Sequence, residues 1–257
     1  MKPFLLLTIV NCLIAPAINC QISSQPNSTV AKPTQIAEIA LPKGFERVIV
    51  NNNSYEYWLQ HFPLQPNNKV YLYDGSLKSN QLLHAAVLDI SIGTKNLQQC
   101  ADAVVRLKAE YHFARKEYHK IIFNAGKTVF DFNTFASKRY CFSHECLLEF
   151  LEQVFINYGT YNLEEQLKPL VNYTDLNIGN AFIKGGTPGH AMLVVDVAIN
   201  KATGEKIFLL AQSFMPAQSV HIVKNLNIPI LSPWYSTKDL EIKTPGWSFT
   251  QGQLKKW

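Results

Sequence analysis

The chain has 257 residues, of which 47% are hydrophobic and 17% are charged, and its formal net charge is +5. This composition supports a sizeable buried core and excludes a largely disordered chain. The positive charge is dispersed, with no run of Lys or Arg longer than two residues, which excludes the concentrated basic stripe of a nucleic-acid-binding protein.

The first twenty residues have the pattern of a secretion signal. Lys2 supplies the positive start, and the apolar stretch that begins with Phe4–Val10 is too short to cross a bilayer as a stop-transfer helix. Small residues, Ala15 and Ala17, precede Cys20. We therefore predict that residues 1–20 are a signal peptide and that the protein is exported to the periplasm or cell envelope.

Two processing routes fit this N-terminus. Signal peptidase could cut near Ala17, or Cys20 could become a lipid-modified first residue of the mature protein, although Asn19 departs from a strict lipobox. Residues 21–33 are rich in Ser, Gln, Pro and Asn, a composition typical of a flexible tether. We assign residues 21–40 to that tether and residues 41–257 to a single domain, with membrane contact only through the lipid.

The first half of the domain contains several short elements and one long helix. We predict strands over residues 46–50, 70–73 and 85–92 and a short helix over 55–60. The long helix begins near Asn96, because Gln99 follows at the capping-box spacing. Its inner face is a stripe of apolar residues at helical intervals, namely Leu97, Ala101, Val104, Leu107 and Tyr111.

The second half changes from helices to strands. We predict a hairpin over residues 121–132, helices over 144–158 and 163–167, and then strands over 180–184, 191–199, 207–214 and 220–223. Helices followed by an antiparallel sheet indicate an α+β domain with the helices packed on the sheet.

The cysteine count singles out one thiol. Cys12 is lost with the signal and Cys20 is lost or lipidated, which leaves Cys100, Cys141 and Cys146. An odd number in an oxidising compartment implies an unpaired thiol or an intermolecular bridge. Cys141 and Cys146 are close enough in sequence to form a disulfide, and in that case Cys100 is free.

Cys100 lies in the first turn of the predicted long helix. Unsatisfied N–H groups and the positive end of the helix dipole favour a thiolate there, and a lowered thiol pKa is what a cysteine nucleophile requires. The alternative interpretation is a small buried apolar residue, which is how most free cysteines behave.

His190 and Gln212 are predicted to meet on neighbouring strands. His190 follows the low-bulk loop 185–189 and opens a strongly apolar strand. If that strand pairs with 207–214 across the turn 200–204, the numbers of opposed residues sum to 404, and Met192 faces Gln212. His190 and Gln212 then share one face, a diagonal step apart and within reach of a long side chain.

The three side chains follow one another in the order found in a papain-like cysteine hydrolase. These are a thiol at the start of a helix, an imidazole at the start of a strand and an amide on the next strand. Cys100 would attack a carbonyl carbon, His190 would transfer the proton and Gln212 would orient the ring. The backbone N–H of Cys100, with Gln98 or Gln99, could form an oxyanion hole.

The sequence predicts neither a metal nor a cofactor. Cys141, His144 and Cys146 lack a convincing fourth ligand for zinc. No H-E-x-x-H, P-loop or G-x-S-x-G motif occurs in the chain.

Several motifs of the chain resemble an uncharacterised family of bacterial exported proteins. The likeness covers about residues 41–257 and includes Gly185–Ala191, Leu209–Ser213, Met215–Gln218 and Ser232–Tyr235. It implies export and a single domain but no established activity.

A fainter resemblance is to NlpC-type papain-fold peptidases, in which a strand such as 179–182 precedes the histidine strand. Asn180 stands where those enzymes usually have Asp, and their cysteine motif differs from Gln99-Cys100-Ala101. This resemblance implies a papain- or NlpC-like fold and cleavage of an amide bond in a peptide or a peptidoglycan stem.

A second function remains open from the sequence alone. The aromatic turns at Trp234-Tyr235 and Trp247 could stack on a glycan or peptide, which would make the chain a non-catalytic surface binding module. In that interpretation the glycine-rich loop 185–189 is only a tight turn.

Overall fold

The structure is a computed structural model that describes residues 32–257. The predicted signal peptide, the lipidation candidate Cys20 and the first part of the predicted tether lie outside the described residues. Residues 32–257 contain five α-helices and a nine-stranded antiparallel sheet, which confirms the predicted α+β class. None of the helices in this part of the chain is long and apolar enough to span a bilayer.

The helices and strands are distributed along the whole described chain. The helices are α1 (Tyr55–Gln60), α2 (Cys100–Ala114), α3 (Phe132–Arg139), α4 (His144–Asn157) and α5 (Thr160–Gln166). The strands are β1 (Glu46–Arg47), β2 (His84–Val87), β3 (Ile122–Ala125), β4 (Thr128–Asp131), β5 (Lys168–Pro169), β6 (Ala181–Lys184), β7 (His190–Ile199), β8 (Lys206–Gln212), β9 (His221–Val223), β10 (Tyr235–Ser236), β11 (Glu241–Thr244), β12 (Trp247–Thr250) and β13 (Leu254–Lys256).

The large sheet is centred on β7. Its strand order is β2-β9-β8-β7-β6-β13-β5, with β1 added to β7 and β10 added to β8. Nine of the ten residues of β7 are buried, and because successive side chains point to opposite faces, both faces of this strand are covered. Helices α1 and α2 pack against β7, and the separate hairpin β11–β12 places Phe249 against Phe182 of β6.

The folded part of the chain begins before Leu41, which is the start predicted from the sequence. Ile36 is fully buried in a short 3₁₀ turn, and its N–H donates to the carbonyl of Phe62. The indole of Trp234 donates to the carbonyl of Ala40 over 2.9 Å. The predicted tether of residues 21–40 is therefore too long at its C-terminal end, because residues 36–40 already contribute to the core.

The pairing of β7 with β8 changes register halfway along the strands. Leu193 opposes Ala211 and Val194 opposes Leu210, as the predicted sum of 404 requires. A bulge at Val195 then shifts the pairing, so that Asp196 opposes Leu209. Opposed residues share a face, so the bulge turns Asp196 to the face opposite His190.

Asp196 anchors the N-terminal segment to the central strand. The fully buried carboxylate accepts hydrogen bonds of 2.8 Å from Arg47 Nε on β1 and of 2.8 Å from Gln60 Nε2 at the end of α1. Burial nevertheless raises the pKa of Asp196 above its usual range, because desolvation outweighs the opposing effects of Arg47 and Gln60.

We expect Arg47→Met to lower the free energy of unfolding by about 3 kcal/mol, because it leaves a buried carboxylate without its cation. Urea denaturation measures this change. Lys201→Met is the control, because it removes an exposed ion pair to Glu46, the residue next to Arg47 on β1. It should lower the free energy of unfolding by less than about 0.5 kcal/mol. Equal costs for the two variants would contradict the role given to Asp196.

Candidate functional site

Cys100 is the first residue of α2. Gln99 is the N-cap, and its N–H donates to Asp102 Oδ2 over 2.9 Å, so the capping box starts three residues later than predicted. Asn96, the predicted cap, instead accepts a 2.8 Å hydrogen bond from the N–H of Ala217. Asn96 therefore ties the loop after β8 to the approach of α2, which fixes the position of Cys100.

A cleft of about 610 Å³ opens beside Cys100. Its walls are Gln99 to Asp102, the connection between α4 and α5, the glycine-rich loop before β7, and Met215. Cys100 is 6% exposed, so the thiol is a buried group at the cleft wall. This volume lies in the range of small-molecule and peptide-end binding sites.

The environment of the thiol differs from the expected one. Burial raises the pKa of Cys100, although the N–H groups of Ala191 and Ala101 hydrogen-bond to the sulfur and act in the opposite direction. The prediction of a lowered pKa was wrong, because desolvation at this site outweighs the favourable helix start. The Ala191 contact also shows that the sulfur lies beside the residue that follows His190.

Gly189 explains why the loop before β7 has so little bulk. A Cβ at this position would overlap the carbonyl oxygens of Gly186 and Lys184 and the hydroxyl of Thr160. The Thr160 hydroxyl also donates to the Gly186 carbonyl over 3.2 Å. The loop is thus clamped against the start of α5, and the clamp determines where His190 enters the sheet.

His190 and Gln212 meet as the register predicted. Gln212 Oε1 accepts a hydrogen bond from His190 Nε2 over 2.7 Å, and both side chains are buried. An amide oxygen can only accept, so Nε2 of His190 carries the proton of that bond. The structure thus brings two of the three predicted catalytic residues into direct contact.

Three aromatic rings enclose the imidazole of His190. The ring centroids of Phe214, Trp247 and Phe249 lie 5.1, 5.4 and 5.9 Å from it. Burial lowers the pKa of His190 to about 4, although the hydrogen bond to Gln212 acts in the opposite direction. The imidazole is therefore neutral at pH 7 and able to accept a proton.

No hydrogen bond joins the Cys100 thiol to the His190 imidazole within residues 32–257. The backbone of Ala191 acts on the pKa of Cys100, and His190 is the residue before Ala191. Catalytic hydrogen bonds commonly shorten only once substrate is bound. His190 itself does not line the cleft beside Cys100. Both groups are buried and favour their neutral forms.

Gln98 and Gln99, the two predicted oxyanion donors, lie in different environments. Gln99 lines the cleft beside Cys100. Gln98 is buried, its Oε1 accepts a 3.0 Å hydrogen bond from Arg106 Nη1, and it lines a separate cavity of about 100 Å³. Gln98 therefore does not line the cleft beside Cys100, and its Nε2 is buried without a hydrogen-bond partner among the described residues.

Asp102 adds a buried carboxyl group to the cleft wall. Oδ2 caps the start of α2, whereas Oδ1 is buried without a hydrogen-bond partner among the described residues. Burial raises the pKa of Asp102 to about 8. Arg106, one helical turn further along α2, pairs with Glu110 at 2.7 Å and not with Asp102.

His221 is the polar residue that sequence analysis missed. It is opposed to Gln212 in the β8–β9 pair. Gln212 Nε2 lies 3.3 Å from His221 Nε2, and His221 Nδ1 lies 2.8 Å from the carbonyl oxygen of Ser219. The histidine within the predicted strand 220–223 was the signal available, but the register of that strand could not be read from the sequence.

The remaining cysteines and aromatic turns are occupied in the fold. Cys141 and Cys146 form a disulfide, and Cys100 is the free cysteine of the described residues. Trp234 is buried, and the half-buried Trp247 packs against His190. Within residues 32–257, no group of three His, Cys, Asp or Glu side chains could hold a metal ion.

Comparison with known proteins gives one match. The family model described as "Domain of unknown function (4846)" matches residues 36–256. No curated protein and no solved structure matches the chain. The resemblance to an uncharacterised family is thereby confirmed, whereas none of the comparisons supports the fainter resemblance to NlpC-type peptidases.

We expect Gly189→Ala to lower the free energy of unfolding by about 2 kcal/mol, because the added methyl group meets backbone oxygens that cannot move aside. Gly252→Ala is the matched control, since nothing lies within 4 Å of its added Cβ, and it should change stability by less than about 0.5 kcal/mol. Thermal or urea unfolding measures both. A Gly189→Ala protein as stable as the control would contradict the clamp.

We expect the alkylation of Cys100 by iodoacetamide to reach half of its maximal rate at a higher pH in the native protein than in the urea-denatured chain. The thiolate is the reacting form, and burial raises the pKa of the native thiol. Site-resolved mass spectrometry over a pH series provides both midpoints. A native midpoint at or below the denatured one would show that a thiolate is stabilised here.

Proposed function

The chain belongs to the family described as a domain of unknown function (4846), and we propose that it is a cysteine hydrolase that cleaves an amide bond. One observation carries the proposal. The free thiol of Cys100 lies at the wall of a cleft of about 610 Å³ and interacts with the backbone of Ala191, and the residue before Ala191, His190, is hydrogen-bonded to Gln212 at 2.7 Å.

The first half of the reaction forms an acyl-enzyme. His190 Nδ1 takes the proton of the Cys100 thiol as the sulfur attacks the substrate carbonyl carbon. The proton then passes from Nδ1 to the leaving nitrogen, the carbon–nitrogen bond breaks and an amine departs. The product on the enzyme is a thioester of Cys100.

The second half returns the enzyme to its starting state. His190 Nδ1 takes a proton from water, which attacks the thioester carbonyl, and the same proton returns to the sulfur as a carboxylic acid leaves. The N–H of Cys100 at the start of α2 has no acceptor within the helix and supplies one oxyanion donor. Gln99, which lines the cleft, is the candidate for the second donor.

The neutral resting pair is compatible with this role. With the pKa of His190 near 4 and that of Cys100 raised, the imidazole is free to accept the proton when the thiol attacks. The site depends on general-base catalysis by His190, because no preformed thiolate supplies the nucleophile.

The proposed substrate is a peptide or a peptidoglycan stem in the cell envelope, and the proposed location is outside the cytosol. The N-terminal signal pattern supports export, with or without lipidation at Cys20. The Cys141–Cys146 disulfide supports an oxidising compartment.

A second candidate function is a module that holds a peptide in the same cleft without cutting it. The specific observation in its favour is the raised pKa of Cys100 together with the lack of a thiol–imidazole hydrogen bond within residues 32–257. The aromatic turns do not support the glycan-stacking version, since Trp234 is buried.

Turnover of a peptidoglycan substrate tests the proposal. We expect the wild-type protein to release new primary amines from purified sacculi or soluble stem peptides, detected by mass spectrometry after chemical labelling. Cys100→Ala should abolish the release, and His190→Ala should slow it by about 10²-fold or more, because the general base is lost. Acid-quenched protein should carry an acyl group on Cys100.

The double variant Cys141→Ser, Cys146→Ser is the matched control, because it removes two sulfur atoms that do not line the cleft, and it should keep the activity. If the wild-type protein and Cys100→Ala release equal amounts of amine, the hydrolase proposal fails. Saturable binding of the stem peptide without release would then establish the binding module.

A further inference from the structure

Three hydrogen bonds connect His190 through Gln212 and His221 to the carbonyl oxygen of Ser219. The donor and the acceptor of each can be assigned, beginning with this carbonyl oxygen. The carbonyl oxygen of Ser219 lies 2.8 Å from His221 Nδ1. A carbonyl oxygen can only accept a hydrogen bond, so Nδ1 of His221 is the protonated nitrogen. In a neutral imidazole the other nitrogen, Nε2, then carries a lone pair and accepts.

His221 is held in its neutral form. It is completely enclosed, and burial lowers its pKa to about 3, with smaller effects in the same direction from Lys78, His84 and His190. A second proton on Nε2 would also face the amide group of Gln212. The imidazole therefore presents a single arrangement, with a donor toward Ser219 and an acceptor toward Gln212.

This acceptor determines which way the amide of Gln212 points. The oxygen and nitrogen of a Gln side chain are distinguished only by their hydrogen-bond partners. Because His221 Nε2 accepts, the amide NH₂ must face it, across 3.3 Å. The amide oxygen then faces His190 Nε2, across 2.7 Å.

The hydrogen bond between Gln212 and His190 determines which ring nitrogen of His190 is protonated. Facing an amide oxygen, Nε2 of His190 must carry the proton, which leaves the lone pair on Nδ1. We propose that His221 is a positioning residue that acts through Gln212 to hold His190 in the tautomer with a basic Nδ1. Its effect on rate rests on the hydrolase function proposed above, whereas the tautomers themselves do not.

The geometry makes this control local to two strands. Gln212 and His221 are opposed residues of the β8–β9 pair, and the hydroxyl of Ser219 is tied to the backbone of Tyr71 through the Tyr71 N–H at 3.0 Å. All residues that form this series of hydrogen bonds, His190, Gln212, His221 and Ser219, are buried. Water therefore cannot substitute for a missing partner without a rearrangement of the strands.

Nuclear magnetic resonance of the ¹⁵N-labelled full chain tests the inference without any substrate. Two-bond ¹H–¹⁵N correlations distinguish a protonated ring nitrogen from one that carries a lone pair. We expect His190 to be protonated at Nε2 only and His221 at Nδ1 only, at pH 7. A wild-type His190 that carries its proton on Nδ1 would overturn the proposal.

Variants then separate positioning from packing. His221→Leu removes the acceptor but fills the space, and we expect part of the His190 population to become protonated at Nδ1. His221→Asn restores an acceptor oxygen and should recover the wild-type tautomer. His84→Leu is the matched control, because it removes the neighbouring buried imidazole, 5.8 Å from His221, without touching Gln212. An unchanged single tautomer in His221→Leu would overturn the proposal.

Amide hydrolysis provides the second readout and keeps the two proposals distinct. In His221→Leu we expect kcat to fall about tenfold or more with KM little changed, as is usual for loss of a residue that orients a reacting group, and His221→Asn should recover most of kcat. Wild-type tautomers as expected without any hydrolysis would refute the hydrolase while the positioning role stands. Hydrolysis that His221→Leu leaves unchanged would refute the positioning role alone.

Discussion

The short hydrogen bond between His190 and Gln212 depends on the alignment of the two central strands. A displacement of β8 by one residue along β7 would turn Gln212 to the other face and present Ser213 in its place. The pairs Leu193–Ala211 and Val194–Leu210 fix that alignment, and both consist of buried apolar side chains. The hydrophobic core is thus what sets the polar geometry, because a wrong alignment would exchange the side chains that β8 buries on its two faces.

Burial gives this site its electrostatic character. The thiol, the imidazole and the carboxyl group of Asp102 all shift toward their neutral forms, with the pKa of Asp102 raised to about 8 and that of His190 lowered to about 4. Buried groups in their neutral forms interact through their dipoles and not through net charges. Hydrogen bonds in such surroundings are stronger and more directional than at a surface, so the orientation of each polar group matters more than its net charge.

The sequence predicted the frame of the site better than its electrostatics. Strands β6 to β9, helix α4 and the meeting of His190 with Gln212 follow from apolar runs, turns and strand alternation, which are local patterns. The strand β13 was not predicted, because its partners β5 and β6 lie far away in the chain. The hairpin β11–β12 was missed although its pairing is local, since only the turn before Trp247 was recognised and not the strands on either side of it. The pKa of Cys100 could not be predicted either, since it depends on how deeply the helix start is covered.

Apart from the contact between His190 and Gln212, the individual hydrogen-bond partners at the site also could not be predicted from the sequence. Gln99 caps α2 in place of Asn96, and Gln98 binds Arg106. These side chains are chemically similar, so only their three-dimensional neighbours determine which role each one takes. His221 lies within the predicted strand 220–223, but its contact with Gln212 depends on which residue of β8 it opposes.

The bulge at Val195 lets one strand serve two unrelated tasks. The residues before it hold the imidazole on one face, and the first residue after it, Asp196, turns to the other face to anchor the N-terminal segment. Each half of β7 thus has its own alignment with β8. A change in the pairing beside Asp196 therefore does not require a change in the pairing that aligns His190 with Gln212.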